Sequence, residues 1–122
     1  MSSVDKLFKL ADRFARKMSL GQQTSAQPGE VQNALQAAGL WDKAAEVSPL
    51  LGSAGVDDGP IVITMTIDKG LNFKYNVTAT PPPAALKLAG LLKVKYAGPM
   101  KAALAAAKLT VADSLDVKWL TF

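Results

Sequence analysis

Apolar residues recur along this chain with two different periods, and the change between them divides it. Val4, Leu7, Phe8, Ala11, Phe14, Ala15 and Met18 fall at the three-and-four spacing of a helix with one apolar stripe. Ser2 or Ser3 is placed to cap it, and Asp5 sits in the first turn, where a negative charge suits the helix dipole. The pattern predicts an amphipathic helix over residues 3–18 with Lys6, Lys9, Arg13 and Lys17 off the stripe. Three fates are open to the face made by Val4, Leu7, Phe8, Ala11, Phe14 and Met18. It packs into the domain core, meets a partner or second copy, or lies on an anionic membrane surface.

Residues 19–29 are polar and aperiodic and are expected to form a linker, with Pro28 at a helical first-turn position where its missing N–H costs nothing. Val31, Ala34, Leu35 and Ala38 make a second short stripe, and Gly39 is placed to stop it. Another turn or two of helix is expected between Leu40 and Val47, ahead of Ser48-Pro49. Residues 52–59, GSAGVDDG, read as a loop.

From there the period becomes two. Ile61, Ile63, Met65 and Ile67 alternate with Val62, Thr64 and Thr66. After Asp68-Lys69-Gly70, residues Leu71, Phe73, Tyr75, Val77 and Ala79 alternate with polar ones. Two such runs joined by a short glycine-containing turn predict a β-hairpin over residues 60–79, apolar on one face. Pro81-Pro82-Pro83 should end the second strand, and the last proline opens a helix from about Ala84 to Val94. Gly98-Pro99 is expected to break the chain and start a further helix through Lys108. Residues 114–121 alternate Leu115, Val117 and Trp119 with Asp116, Lys118 and Leu120, which predicts a third strand beside the hairpin. A helix competes there, since Thr110 and Asp113 are spaced like a capping box. The fold class expected is α+β: a small antiparallel sheet packed against helices within a single domain of residues 1–122, of which residues 1–18 are a separable helix.

Composition narrows the chemistry. The 122 residues include no cysteine and no histidine. Disulfides, thiolate nucleophiles, sulfur-ligated metals, imidazole bases and histidine metal ligands are thereby excluded. No run approaches the ~20 apolar residues of a membrane span, and the scattered N-terminal charges do not make a signal peptide. A cytoplasmic or virion-associated protein is expected, with membrane partners disfavoured. Asp57-Asp58 in a glycine-rich loop offers carboxylate oxygens to a cation, but the pair matches no calcium-loop spacing and suits a turn equally well. Residues 52–55, GSAG, lack the lysine and following helix of a phosphate loop. Asn76-Val77-Thr78 matches a glycosylation acceptor inside a strand. No catalytic or metal-binding residue is assigned, no cofactor is implied, and the chain is not expected to be an enzyme.

Charge is unevenly spread. The formal net charge is +4, yet residues 69–112 contain seven lysines and no carboxylate. Lys87, Lys93, Lys95, Lys101 and Lys108 lie on or beside the two later helices and form a candidate anion or nucleic-acid face. Arginine is absent from residues 87–108, and Tyr96 is their one aromatic residue, which speaks against base-specific reading.

The segment 63–73, ITMTIDKGLNF, followed by 80–87, TPPPAALK, resembles the hairpin and proline-led helix of the stalk-base protein of the large ribosomal subunit, across residues 60–92. That family binds ribosomal RNA and shapes the factor-binding centre, so the resemblance implies RNA binding. The family's opening strand and proline- and glycine-rich N-terminal motif have no counterpart here, the spacing from Phe73 to the prolines is longer, and no functional residues are carried over. Two expectations result. The first is a non-enzymatic interaction or assembly module, a subunit of a larger cellular or viral structure with a protein partner or a second copy. The alternative is an RNA-binding protein using residues 87–108.

Overall fold

The computed structural model describes residues 25–122. The predicted helix 3–18, its partner-helix face and the linker up to residue 24 lie outside the described residues. Within them the order is α1 (Pro28–Ala37), α2 (Ala44–Ala54), β1 (Val62–Asp68), β2 (Phe73–Thr78), α3 (Pro82–Ala106) and β3 (Ser114–Thr121). The three strands form one antiparallel sheet in the order β2-β1-β3. The α+β architecture is as the sequence pattern predicts.

The hairpin follows from alternation. Ile61, Ile63, Met65 and Ile67 all point into the core, and Phe73 and Tyr75 continue that face on the neighbouring strand. Thr64, Thr66, Lys74 and Asn76 fall on the opposite face. There Asn76 Nδ2 donates to Thr66 Oγ1 at 2.9 Å and Thr66 donates to Asp116 Oδ1 at 2.7 Å, a polar row across all three strands. An antiparallel sheet with one roofed face and one wet face has this signature. The hairpin turn is held by Asp68, whose carboxylate accepts from the backbone N–H of Gly70 and of Asn72 at 2.8 and 3.0 Å.

Residues 114–121 are a strand, which settles the competition with a helix. It pairs with β1, making the first strand of the hairpin central. The sequence places Leu120 with the polar positions, but it is buried beside Trp119. The register explains this: Ile63 faces Leu120 whereas Thr64 faces Lys118, so Trp119 is the extra residue of a bulge. One added residue flips the alternation, and Trp119 and Leu120 both reach the core.

The helices differ from expectation at their prolines. Helix α2 runs through Pro49 to Ala54 and ends at Gly55 in the left-handed region, φ 82°, so part of the expected loop is helical. Helix α3 starts at Pro82, two residues before the expected Ala84, and runs unbroken past Gly98-Pro99 for 25 residues, where two helices are expected. Each proline deprives the carbonyl four residues earlier of its donor. Ala45 and Pro49 are both exposed, as are Lys95 and Pro99, so the orphaned carbonyls face water. Meanwhile Leu88, Leu92, Tyr96, Met100 and Leu104 are buried on either side of the break. That continuous apolar row outweighs a local penalty of roughly 3 kcal/mol.

Spaced by four residues, the row advances about 40° per step around a straight helix, so it winds along α3. It meets β2 and the α1 and α2 helices in turn. Val31 and Leu35 of α1, with Val47 of α2, complete the roof. Ring contacts tie the layers together: Trp119 meets Tyr96 edge-on at 5.2 Å and Tyr75 at 5.9 Å, and its indole donates to the Trp41 carbonyl at 2.9 Å.

Two measurements check this account. Leu92→Ala should lower unfolding free energy by about 2–5 kcal/mol, since its side chain is fully enclosed. Gly90→Ala should raise it by roughly 0.5–1 kcal/mol, because an added Cβ meets nothing within 4 Å and the helix interior favours alanine. Urea titration of both variants reads these changes.

Candidate functional site

Helix α3 carries four lysines and no carboxylate along its length. The fold distributes them to different surroundings. Lys95 turns toward α2, where its ammonium lies 3.6 Å from Glu46. Lys93 is two residues away, about 160° around the helix, and lines a cleft on the other flank. Lys101, two turns further on, lines the same cleft. Lys87 is exposed nearer the helix start, and Lys108 lies beyond the helix end with a positive φ of 58°. Tyr96, the aromatic residue of this stretch, is buried and offers no stacking surface.

The cleft has a volume of about 550 Å³ and lies between the turn end of the hairpin and α3. Thr66, Lys74 and Phe73 form one wall, Lys93, Ala97, Gly98 and Lys101 the other, and Asp68 and Asn72 close the end. Lys74 is a site residue that the reading of residues 87–108 misses. Its signal is in the sequence, as a cation at an outward position of the β2 alternation, but strand-to-helix proximity is needed to pair it with Lys93. Lys101 Nζ donates to Asn72 Oδ1 at 3.1 Å, which anchors one of the cations at the cleft end.

Asp68 is the one carboxylate in the lining, and it is occupied. Its bonds from the Asn72 backbone and side chain, then from Gly70, with Lys101 nearby, hold its pKa below the ordinary value of 3.8. It stays ionised and turned into the hairpin. The other three charges of the cleft are lysines. The lining thus sets three ammonium groups around one carboxylate that the turn already binds.

On the outward side of α3, Leu86 and Val94 are 76% and 87% exposed. Gly90 lies one turn from each, so this side combines bare apolar groups with the lysines beside them. The opposite flank is a structural polar cluster. The Tyr96 hydroxyl donates to Glu46 Oε1, and Lys43 and Lys95 each approach that carboxylate to 3.6 Å. Burial, with Glu46 adding to it, pushes the Tyr96 hydroxyl pKa well above the usual phenol value.

Among the described residues no three Asp or Glu side chains gather to hold a metal ion, and Asp57 and Asp58 are exposed in their loop. The Asp57 backbone N–H donates to the Thr80 carbonyl at 2.7 Å, which gives that loop a structural contact. Asn76 of the glycosylation-like triplet sits in β2 with its amide bonded to Thr66. No helix of the described residues is long and apolar enough to cross a membrane. The segment resembling the ribosomal stalk-base protein corresponds to the hairpin and the first half of α3. No protein-family model, curated protein or solved structure matches the chain.

Acid titration tests the charge assignments. The Tyr96 bond, then Lys43 and Lys95, hold Glu46 below its ordinary 4.5. A carboxylate depressed on folding contributes stability above its unfolded pKa and loses it as pH falls through the folded value. Glu46→Gln should therefore be less stable than the parent at pH 7. The difference should shrink as pH falls below the ordinary carboxyl range and through the lower folded value, where the parent's carboxylate is protonated too. Thermal melts across that range provide the comparison.

Proposed function

We propose that this chain is a non-enzymatic interaction module, a subunit of a larger cellular or viral assembly, that docks an acidic protein partner on the α3–β2 side. The observation that carries this reading is the exposure of Leu86 and Val94 on a helix whose only charges are lysines. A bare leucine and valine favour a partner with apolar groups of its own. The surrounding cations select carboxylates, through steering and through the cost of wrong pairings. A second copy would set lysine against lysine. Residues 1–17, with five basic and two acidic side chains, carry the same sign and are repelled likewise.

RNA is the second reading, favoured by the lysines of the cleft and by the resemblance of residues 60–92. A phosphate backbone has no use for Leu86 and Val94, and the described residues contain no arginine.

Fluorescence anisotropy with three probes separates these: a peptide alternating glutamate with valine and leucine, the same peptide with lysine for glutamate, and a single-stranded RNA oligonucleotide. The glutamate peptide should bind, and Leu86→Ser with Val94→Ser should weaken it about tenfold. Preference for RNA, untouched by those substitutions, would replace this reading with the second. Equal binding of the acidic and basic peptides would remove the charge argument.

A further inference from the structure

The sheet has two outer edges, and they are not equivalent. β3 carries the bulge at Trp119, which twists and interrupts its edge. β2 is regular through its six residues and, among the described residues, pairs with β1 alone. Among the described residues no backbone group of Phe73–Thr78 bonds to anything beyond that partner. An unbroken edge with unpaired N–H and C=O groups is a template for another strand. It runs about 20 Å, the length of a six-residue extended segment.

The cleft lies along the first part of this edge. Phe73 and Lys74 of the strand form one side, and across from them stand Lys93, Ala97 and Lys101 of α3. Small residues hold that wall back: Ala97 has a single methyl, and a Cβ added at Gly98 would meet nothing within 4 Å. We infer that the cleft between β2 and α3 takes an extended acidic segment of a partner, added antiparallel or parallel as a fourth strand on the free edge of β2. This rests on the acidic-partner reading and specifies how that partner is held.

Main-chain hydrogen bonds to β2 supply the attachment, and charge supplies the choice. Side chains of an added strand alternate between two directions. Carboxylates directed to the open sheet face meet Lys74, and those directed to the helix meet Lys93 and Lys101. The same lysines disfavour capture of a second copy of the edge. Lysine on an exposed edge discourages like pairing, because two such edges would bring two sets of cations together. An acidic strand removes that repulsion. The edge is therefore closed to itself and open to one class of ligand.

The test uses the full chain and a ten-residue peptide alternating glutamate with valine, in three forms: unmodified, N-methylated at the odd positions and N-methylated at the even positions. Only one of an added strand's two edges faces β2. One methylated form should lose binding at least tenfold and the other should bind as the parent does. Amide exchange should show new protection at alternate residues of Phe73–Thr78. Lys74→Glu, Lys93→Glu and Lys101→Glu together should weaken the unmodified peptide by about tenfold or more, whichever direction its carboxylates take, and Lys118→Glu, on β3, should have little effect. If the lysine substitutions weaken binding but both methylated forms bind normally, strand addition is overturned and the acidic-partner reading stands. If the lysine substitutions change nothing, both are overturned.

Discussion

The structure depends on one constraint: the apolar face of β1 has to be kept from water. Ile61, Ile63, Met65 and Ile67 come from successive inward-facing positions of one segment. An antiparallel pair alone leaves that face bare. The winding row of α3 covers it, and the row is long enough to overrule the proline inside the helix. The continuity of α3 follows from the same requirement. Splitting the helix at Gly98-Pro99 would move Met100 and Leu104 off the surface that Leu88 and Leu92 begin.

Covering the sheet with a helix that is apolar toward the core leaves the rest of α3 outside. Its lysines are then sorted by which neighbour each one reaches. Lys95 joins Glu46 and Tyr96 in a cluster that fastens α3 to α2. Among the described residues Lys93 and Lys101 have no carboxylate on their flank except Asp68, which the hairpin turn already uses. The fold thus gives Lys95 an ion pair and leaves Lys93 and Lys101 without one among the described residues. Contact order in the chain does not show this, since Lys93 and Lys95 are near neighbours in sequence.

Much of the fold is legible in the chain. Period-two alternation locates all three strands, and the buried residues of β1 are those it picks out. Leu120 escapes because a bulge shifts the phase by one, and bulges have no simple sequence mark. The prolines at positions 49 and 99 mislead for a different reason. Their local effect is real, but tertiary burial decides the outcome, and burial is not visible one residue at a time. Of the cleft, Lys93 and Lys101 are legible as part of a basic run. Lys74 is not, because its role comes from the packing of α3 beside β2. Tyr96, noted in the sequence only as the one aromatic residue among those lysines, is a core residue, placed by its four-residue spacing from Leu92 and Met100.

The pairing of β1 with β3 has a kinetic consequence. About fifty residues separate the strands, as in Thr66 and Asp116, and all of α3 lies between them. During synthesis the hairpin is available first, with β1 still an edge strand and its isoleucines uncovered. The nascent chain must hold that exposed ribbon while α3 and then β3 emerge. Long-range closure of this kind slows folding relative to a purely local topology. Aggregation from the half-made sheet, before its third strand arrives, is the hazard this order of strands creates.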